Sequence, residues 1–197
     1  MLKENVGDLP ALPPLAEKLG VQEVVLLNII QVTNEWQDEQ KAFSCERGKH
    51  EQDTAVERME KDARNRGITV RHPSQSVSTV AVCSENPLRN LYIAANGAVS
   101  PCVYLYPPVA TPFRRIFCGQ ETRQEKISFG NIFTESLASL WDSEPYSQFK
   151  DAFLKRQKFF LDTSLAFLDT SRLVGLRDTP PPEPPEPCRT CHKMLGF

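Results

Sequence analysis

Cysteine spacing limits this chain more than any other feature. Cys83, Gly97 and Cys102 stand in a C-x13-G-x4-C pattern, and Cys188 and Cys191 form a C-x2-C pair near the C-terminus. The first pattern spans Asn96-Gly97, a strong two-residue signal for a β-hairpin turn. A hairpin doubles the chain back, so residues flanking its base can converge on one site. The C-x2-C spacing lets one loop present two thiolates to a single centre. The two pairs together make a four-thiolate site of the kind that holds zinc or an iron–sulfur cluster, and thiolate softness alone does not choose between them. A redox role for the C-x2-C pair is disfavoured. Such a pair should open a helix after a strand, whereas this one follows a proline tract.

The other two cysteines carry less information. Cys45 follows Phe43 in a helix-forming stretch and reads as a core or surface thiol. Cys118, in RRIFCGQE, is either a fifth ligand or a buried small hydrophobe. His192, beside Cys191, is a weaker ligand candidate. The charge balance of 23 Lys+Arg against 25 Asp+Glu argues against a nucleic-acid partner. The first 20 residues carry acidic groups and prolines where a signal peptide needs an apolar stretch. The longest apolar run, Val24-Val25-Leu26-Leu27, falls far short of the ~20 residues of a membrane-spanning helix. The expectation is therefore a cytoplasmic protein with no membrane partner. In that compartment thiols stay reduced, and cysteines serve as ligands, reactive groups or core filler rather than disulfides.

Along the chain, residues 8–19 read as a helix capped by Asp8 and stopped by Gly20, with Pro13 and Pro14 awkward inside it. Residues 23–30, EVVLLNII, read as a strand buried on both faces of a parallel sheet. A long charged helical stretch follows, with Gly48 a break and Gly67 an end, then a short strand at 68–72. Residues 1–72 thus read as α-β-α-β, about two units of a parallel α/β fold. The texture then changes. Strand character appears at 78–83, 89–97 and 98–106, and residues 107–131 read as loop. Two short helices are expected at 134–141 and 144–157, the second with Tyr146, Phe149 and Phe153 on one face. Residues 180–187, PPPEPPEP, form a stiff polyproline segment that delivers the chain to Cys188.

These features resemble the SPASM domain that follows the barrel of many radical S-adenosylmethionine enzymes. The matching residues are the Cys83, Gly97 and Cys102 pattern with Asn96-Gly97-Ala98-Val99-Ser100-Pro101-Cys102, then Phe129-Gly130-Asn131-Ile132. They continue with Leu137 through Trp141 to Tyr146, and with Glu186-Pro187-Cys188-Arg-Thr-Cys191. Residues 1–33 are similar to the later part of the family's barrel, through Leu9-Pro10, Leu15-Ala16, Leu19-Gly20 and the strand to Val32-Thr33. The resemblance implies a partial α/β barrel over residues 1–75 and a small α+β auxiliary-cluster domain over 76–197. It implies one 4Fe–4S cluster on Cys83, Cys102, Cys188 and Cys191, with Cys118 unplaced.

The family's C-x3-C-x2-C loop, whose cluster cleaves S-adenosylmethionine, has no counterpart among the six cysteines. S-adenosylmethionine is accordingly expected only in a complete barrel, and catalysis is not expected from this chain alone. A whole barrel takes on the order of 200 residues or more, so the chain reads as the C-terminal part of a larger enzyme. Its expected partners are a peptide or protein substrate, or the N-terminal half of the barrel. The expected roles are electron transfer or substrate positioning. The alternative from another class is a non-catalytic zinc-binding interaction module on the same four cysteines.

Overall fold

Two helix–glycine–strand passages build the N-terminal part of the molecule. A computed structural model describes residues 1–46, 51–74, 76–168 and 179–197. Residues Lys3–Ala11 wind as a 3-10 helix and pass into α1 (Leu12–Lys18), which leads to β1 (Glu23–Val25). After α2 (Glu35–Gln40) comes α3 (Glu51–Asn65), which leads to β2 (Thr69–Arg71). The helix therefore starts earlier than Asp8 suggests. Pro13 and Pro14 lie in the first turn of α1, where a missing N–H leaves no bond unmade. Gly20 and Gly67 stop their helices as expected, at φ of 68° and 70°. Past them the Val21 and Ile68 amides reach back to the Ala16 and Ala63 carbonyls at 2.8 and 2.9 Å. This ending satisfies carbonyls left over by the helix and swings the chain into a strand. Gly48 lies outside the described residues.

β1 and β2 pair in parallel with Val24 opposite Val70. Val56, Met59 and Ala63 of α3, at helical spacing, pack with Leu9, Leu26, Ala16 and Ile68 against that valine pair. The opposite face is bare: Val25 is 49% exposed and Leu27, just past the strand, 69%. The expectation of an eight-residue strand buried on both faces is thus corrected. Only three residues pair, and helices cover one face. An unbroken apolar run cannot say which of its faces another layer will cover. Among the described residues the sheets are three separate two-stranded pairs, with no closed barrel.

Residues 78–83 form no strand, but the hairpin at Gly97 is present as β3 (Tyr92–Ile93) and β4 (Val99–Ser100). Its turn is longer than a two-residue Asn-Gly type. Gly97 N–H bonds the Ala94 carbonyl at 2.8 Å, and Gly97 itself takes the left-handed position at φ 81°. A β-carbon there would lie 2.3 Å from Asn131 Oδ1, so space as well as φ requires glycine.

Residues 107–131, read as loop, contain a second hairpin, β5 (Phe113–Phe117) and β6 (Gln120–Gln124). Cys118 and Gly119 occupy its two-residue turn with φ of 49° and 78°, the primed geometry that matches strand twist. Helix α4 (Leu137–Trp141) is capped by the Ser136 side chain, and α5 (Glu144–Leu168) runs well past the expected end at 157.

The chain divides into two compact units. The first is Met1–Thr79, Arg114–Thr122 and Leu195–Phe197; the second is Val80–Phe113 and Arg123–Met194. Within the first unit three ties hold the β5–β6 tip. Arg114 forks onto the Glu35 carboxylate and also pairs with Glu121 at 2.7 Å; the Ile116 amide bonds the Val32 carbonyl at 2.8 Å; and Cys118 is disulfide-bonded to Cys45.

Candidate metal centre

The second unit is organised around the apolar face of α5. Tyr146, Phe149 and Phe153 recur at helical spacing and are buried, as the sequence pattern requires. Phe129 stacks on Tyr146 with centroids 4.8 Å apart, and Trp141 meets the same ring edge-on at 5.2 Å. The Tyr146 hydroxyl shares its one proton between the Pro87 and Asn90 carbonyls, each at 3.0 Å, fixing the loop that follows Cys83. Cys83 and Cys188 are buried in this same cluster with Leu105 and Met194, and Cys102 packs against it.

Each cysteine sits at or beside a turn, and two of them have backbone amides toward the sulfur. After Cys83 the chain turns at once, with the Asn86 amide on the Cys83 carbonyl at 3.0 Å and Asn86 at a positive φ of 46°. The amides of Glu85 and Asn86 also direct hydrogen bonds at the Cys83 sulfur. Cys102 follows β4 in extended conformation and heads the 3-10 turn Val103–Leu105, whose Tyr104 and Leu105 amides serve its sulfur in the same way. Cys188 ends the 3-10 turn Glu186–Cys188 and accepts the Cys191 amide at 3.1 Å. Cys191 lies close enough to Cys83 and Cys102 for its charge to act on both. Cys83, Cys102 and Cys188 thus share one apolar cluster, Cys191 acts on two of them electrostatically, and none of the four is in a disulfide.

Burial pushes the Cys83 thiol up to about 11, with the neighbouring Cys191 charge adding to the effect. Cys102 rises to about 12 by burial, then by the charges of Cys191 and Cys83. Tyr104 is raised to about 12 by burial, Glu85 and the same thiols. Four thiolates in an apolar wall are unfavourable alone, and a cationic centre bound among them removes the desolvation and repulsion together. The donor set is all sulfur, with amide hydrogen bonds already aimed at two of the atoms. That chemistry fits an iron–sulfur cluster or another thiophilic centre.

Cys118 stands in a disulfide with Cys45, so two cysteines form a disulfide where none was expected. Its turn brings the hairpin tip onto the first unit, a pairing across 73 residues that no local pattern announces. His192 is buried at the head of the last 3-10 turn.

Sequence reasoning also overlooked two cations. Lys193 bonds Ser84 Oγ at 3.0 Å, pairs with Glu85 at 3.3 Å, and lies over the Tyr104 ring at 5.8 Å. Arg156 is buried, with hydrogen bonds to the carbonyls of Val80, Ala81 and Pro182. Its signal was available: it continues the Tyr146, Phe149, Phe153 stripe by one more step of three, a charge where an apolar residue belongs.

Comparison with known proteins bears on this centre. The SPASM family, described as an iron–sulfur cluster-binding domain, matches residues 83–192, a span that contains the four cysteines outside the disulfide. The tungsten-containing aldehyde ferredoxin oxidoreductase cofactor-modifying protein of Pyrococcus furiosus is 30% identical over 148 residues, covering 75% of this chain. The chain corresponds to 39% of that relative's length. No solved structure matches the chain.

Proposed function

The chain belongs to the SPASM family of iron–sulfur cluster-binding domains, and from that premise we propose that Cys83, Cys102, Cys188 and Cys191 hold one 4Fe–4S cluster. The observation that carries this reading is the shared apolar cluster of Cys83, Cys102 and Cys188, with Cys191 acting on two of them, none of the four in a disulfide, and two with paired amides toward their sulfurs. When bound, such a cluster supplies one-electron chemistry. The chain's own residues have separate tasks. The thiolates ligate, the amides of Glu85, Asn86, Tyr104 and Leu105 offset sulfur charge, and the ring wall of Phe129, Tyr146, Phe149 and Phe153 keeps water out.

The domain would then transfer electrons or position a peptide or protein substrate in a radical S-adenosylmethionine reaction. The relative's name, a cofactor-modifying protein, favours a cofactor or the protein that carries one as the substrate class. Residues 1–75 we read as the closing βα units of the accompanying barrel. Support comes from a parallel strand pair with helices on one face and the apolar side chains of Val25 and Leu27 on the bare one. In a closed barrel that bare face would turn to the interior, and the open edges of the pair would take further strands.

The test is anaerobic purification followed by iron, acid-labile sulfide and zinc analysis. The expected product is brown, with iron and sulfide in equal amounts, and replacing any of the four cysteines by Ser lowers both. Colourless protein that keeps stoichiometric zinc after anaerobic reconstitution overturns the cluster in favour of a structural zinc site.

A further inference from the structure

Arg156 lies on the buried face of α5 and only 3% of it is exposed. Its guanidinium reaches three main-chain carbonyls: Nε donates to Ala81 at 3.2 Å, Nη2 to Val80 at 2.6 Å, and Nη1 to Pro182. Val80 and Ala81 lead directly into Cys83, and Pro182 belongs to the segment that leads into Cys188. One side chain therefore ties together the two stretches that carry the thiol pairs. On the far side of the cysteines Lys193, just after Cys191, repeats the connection by reaching Ser84 and Glu85, just after Cys83.

A buried guanidinium is costly, and an aliphatic residue of similar volume would continue the apolar stripe of α5 with less desolvation. What an arginine adds is a planar fork of donors that can hold separate chain segments at fixed spacing. The segment before Cys188 needs such a hold. Residues 180–185 run without helix or strand, so no ladder of backbone bonds places them.

We propose that Arg156 is a positioning residue that braces the Cys83 arm against the Cys188–Cys191 arm, so that the two thiol-bearing arms are held near one another before any metal arrives. The inference rests on the four-thiol reading above. A braced site binds its metal without ordering an arm at that moment, and removing the brace transfers that entropy loss to the binding step. Lysine in place of Arg156 keeps the charge but offers a compact head that cannot span three carbonyls.

The experiment titrates the metal-free full chain with Co2+ under anaerobic conditions and follows cobalt–thiolate absorption. R156K and R156M are compared with wild type and with S136A, which loses the α4 cap bond to the Ser139 amide and so controls for general destabilisation. Expected are affinities at least about tenfold weaker for both Arg156 variants, with fewer sulfurs bound per cobalt, and wild-type binding by S136A. R156K that binds as tightly as wild type, with the same spectrum, sinks the brace alone. Wild-type protein without cobalt–thiolate absorption sinks the four-thiol reading and the brace with it. Hydrogen exchange on the metal-free wild type decides the matter even if the variants do not fold. Cys191 and Met194 amides protected before metal is added support the brace, and amides protected only after metal addition overturn it.

Discussion

A thiol in an apolar wall resists ionisation, and for Cys83 and Cys102 this sets how the metal-free protein responds to pH. Both are raised from the ordinary 9.0, to about 11 and about 12. Above pH 9 the unfolded chain has released protons that the folded chain keeps, so rising pH favours unfolding. The metal-free protein should hold its full stability below about pH 9 and lose it progressively toward pH 12. Urea midpoints measured between neutral pH and this range should fall, and the C83S/C102S double variant should flatten the fall. Lys193 offers a second prediction at this scale. Its ammonium lies beside the loop of Cys83, and a positive charge there favours an added electron on a bound cluster. K193Q should leave iron and sulfide content intact while moving the cluster's potential to more negative values by tens of millivolts. A spectroelectrochemical titration reads this, and an unmoved potential refutes it.

At the level of elements the two hairpins differ in how openly they are encoded. The β3–β4 hairpin carries Asn96-Gly97, whose left-handed requirement is written in the residue itself. The β5–β6 hairpin turns through Cys118-Gly119, and a cysteine at positive φ is not a turn signal. Its strands also hide their pattern, because burial in β5 does not alternate: Arg115 is buried, and so is the adjacent Ile116 on the other face. Once the tip is placed, the Cys45–Cys118 bond closes a loop between residues 73 positions apart. Constraining a loop of that length in the unfolded chain is worth about 4 kcal/mol by loop entropy. The C45S/C118S double variant should lower the stability of the first unit by that order in a denaturation curve. Its iron and sulfide content should match wild type, since neither cysteine belongs to the proposed four-thiol centre. A loss of cluster in this variant would show that the disulfide serves the centre after all.

For the whole molecule, the division into two units predicts separable unfolding. The chain has two tryptophans, and each unit holds one: Trp36 in the first and Trp141 in the second. Single-tryptophan variants W36F and W141F therefore report on one unit each. A ligand that binds only the folded second unit raises its stability by mass action. Loading the thiols with metal should move the Trp141 transition to higher urea and leave the Trp36 transition where it was. Equal shifts at both tryptophans would mean that the units unfold as one.

Local sequence encodes the spacing of the four cysteines, the Gly97 turn, the glycine stops of α1 and α3, and the aromatic face of α5. Each of these depends on neighbours within a few residues or on a residue type with narrow chemistry, so spacing reveals it. Tertiary structure alone decided that β1 would be covered on one face, that Cys118 would bond Cys45, and that Arg156 would join Val80, Ala81 and Pro182. These depend on which distant surfaces are buried together, and the choice among possible pairings is made by the free energy of packing the whole chain rather than by any local pattern.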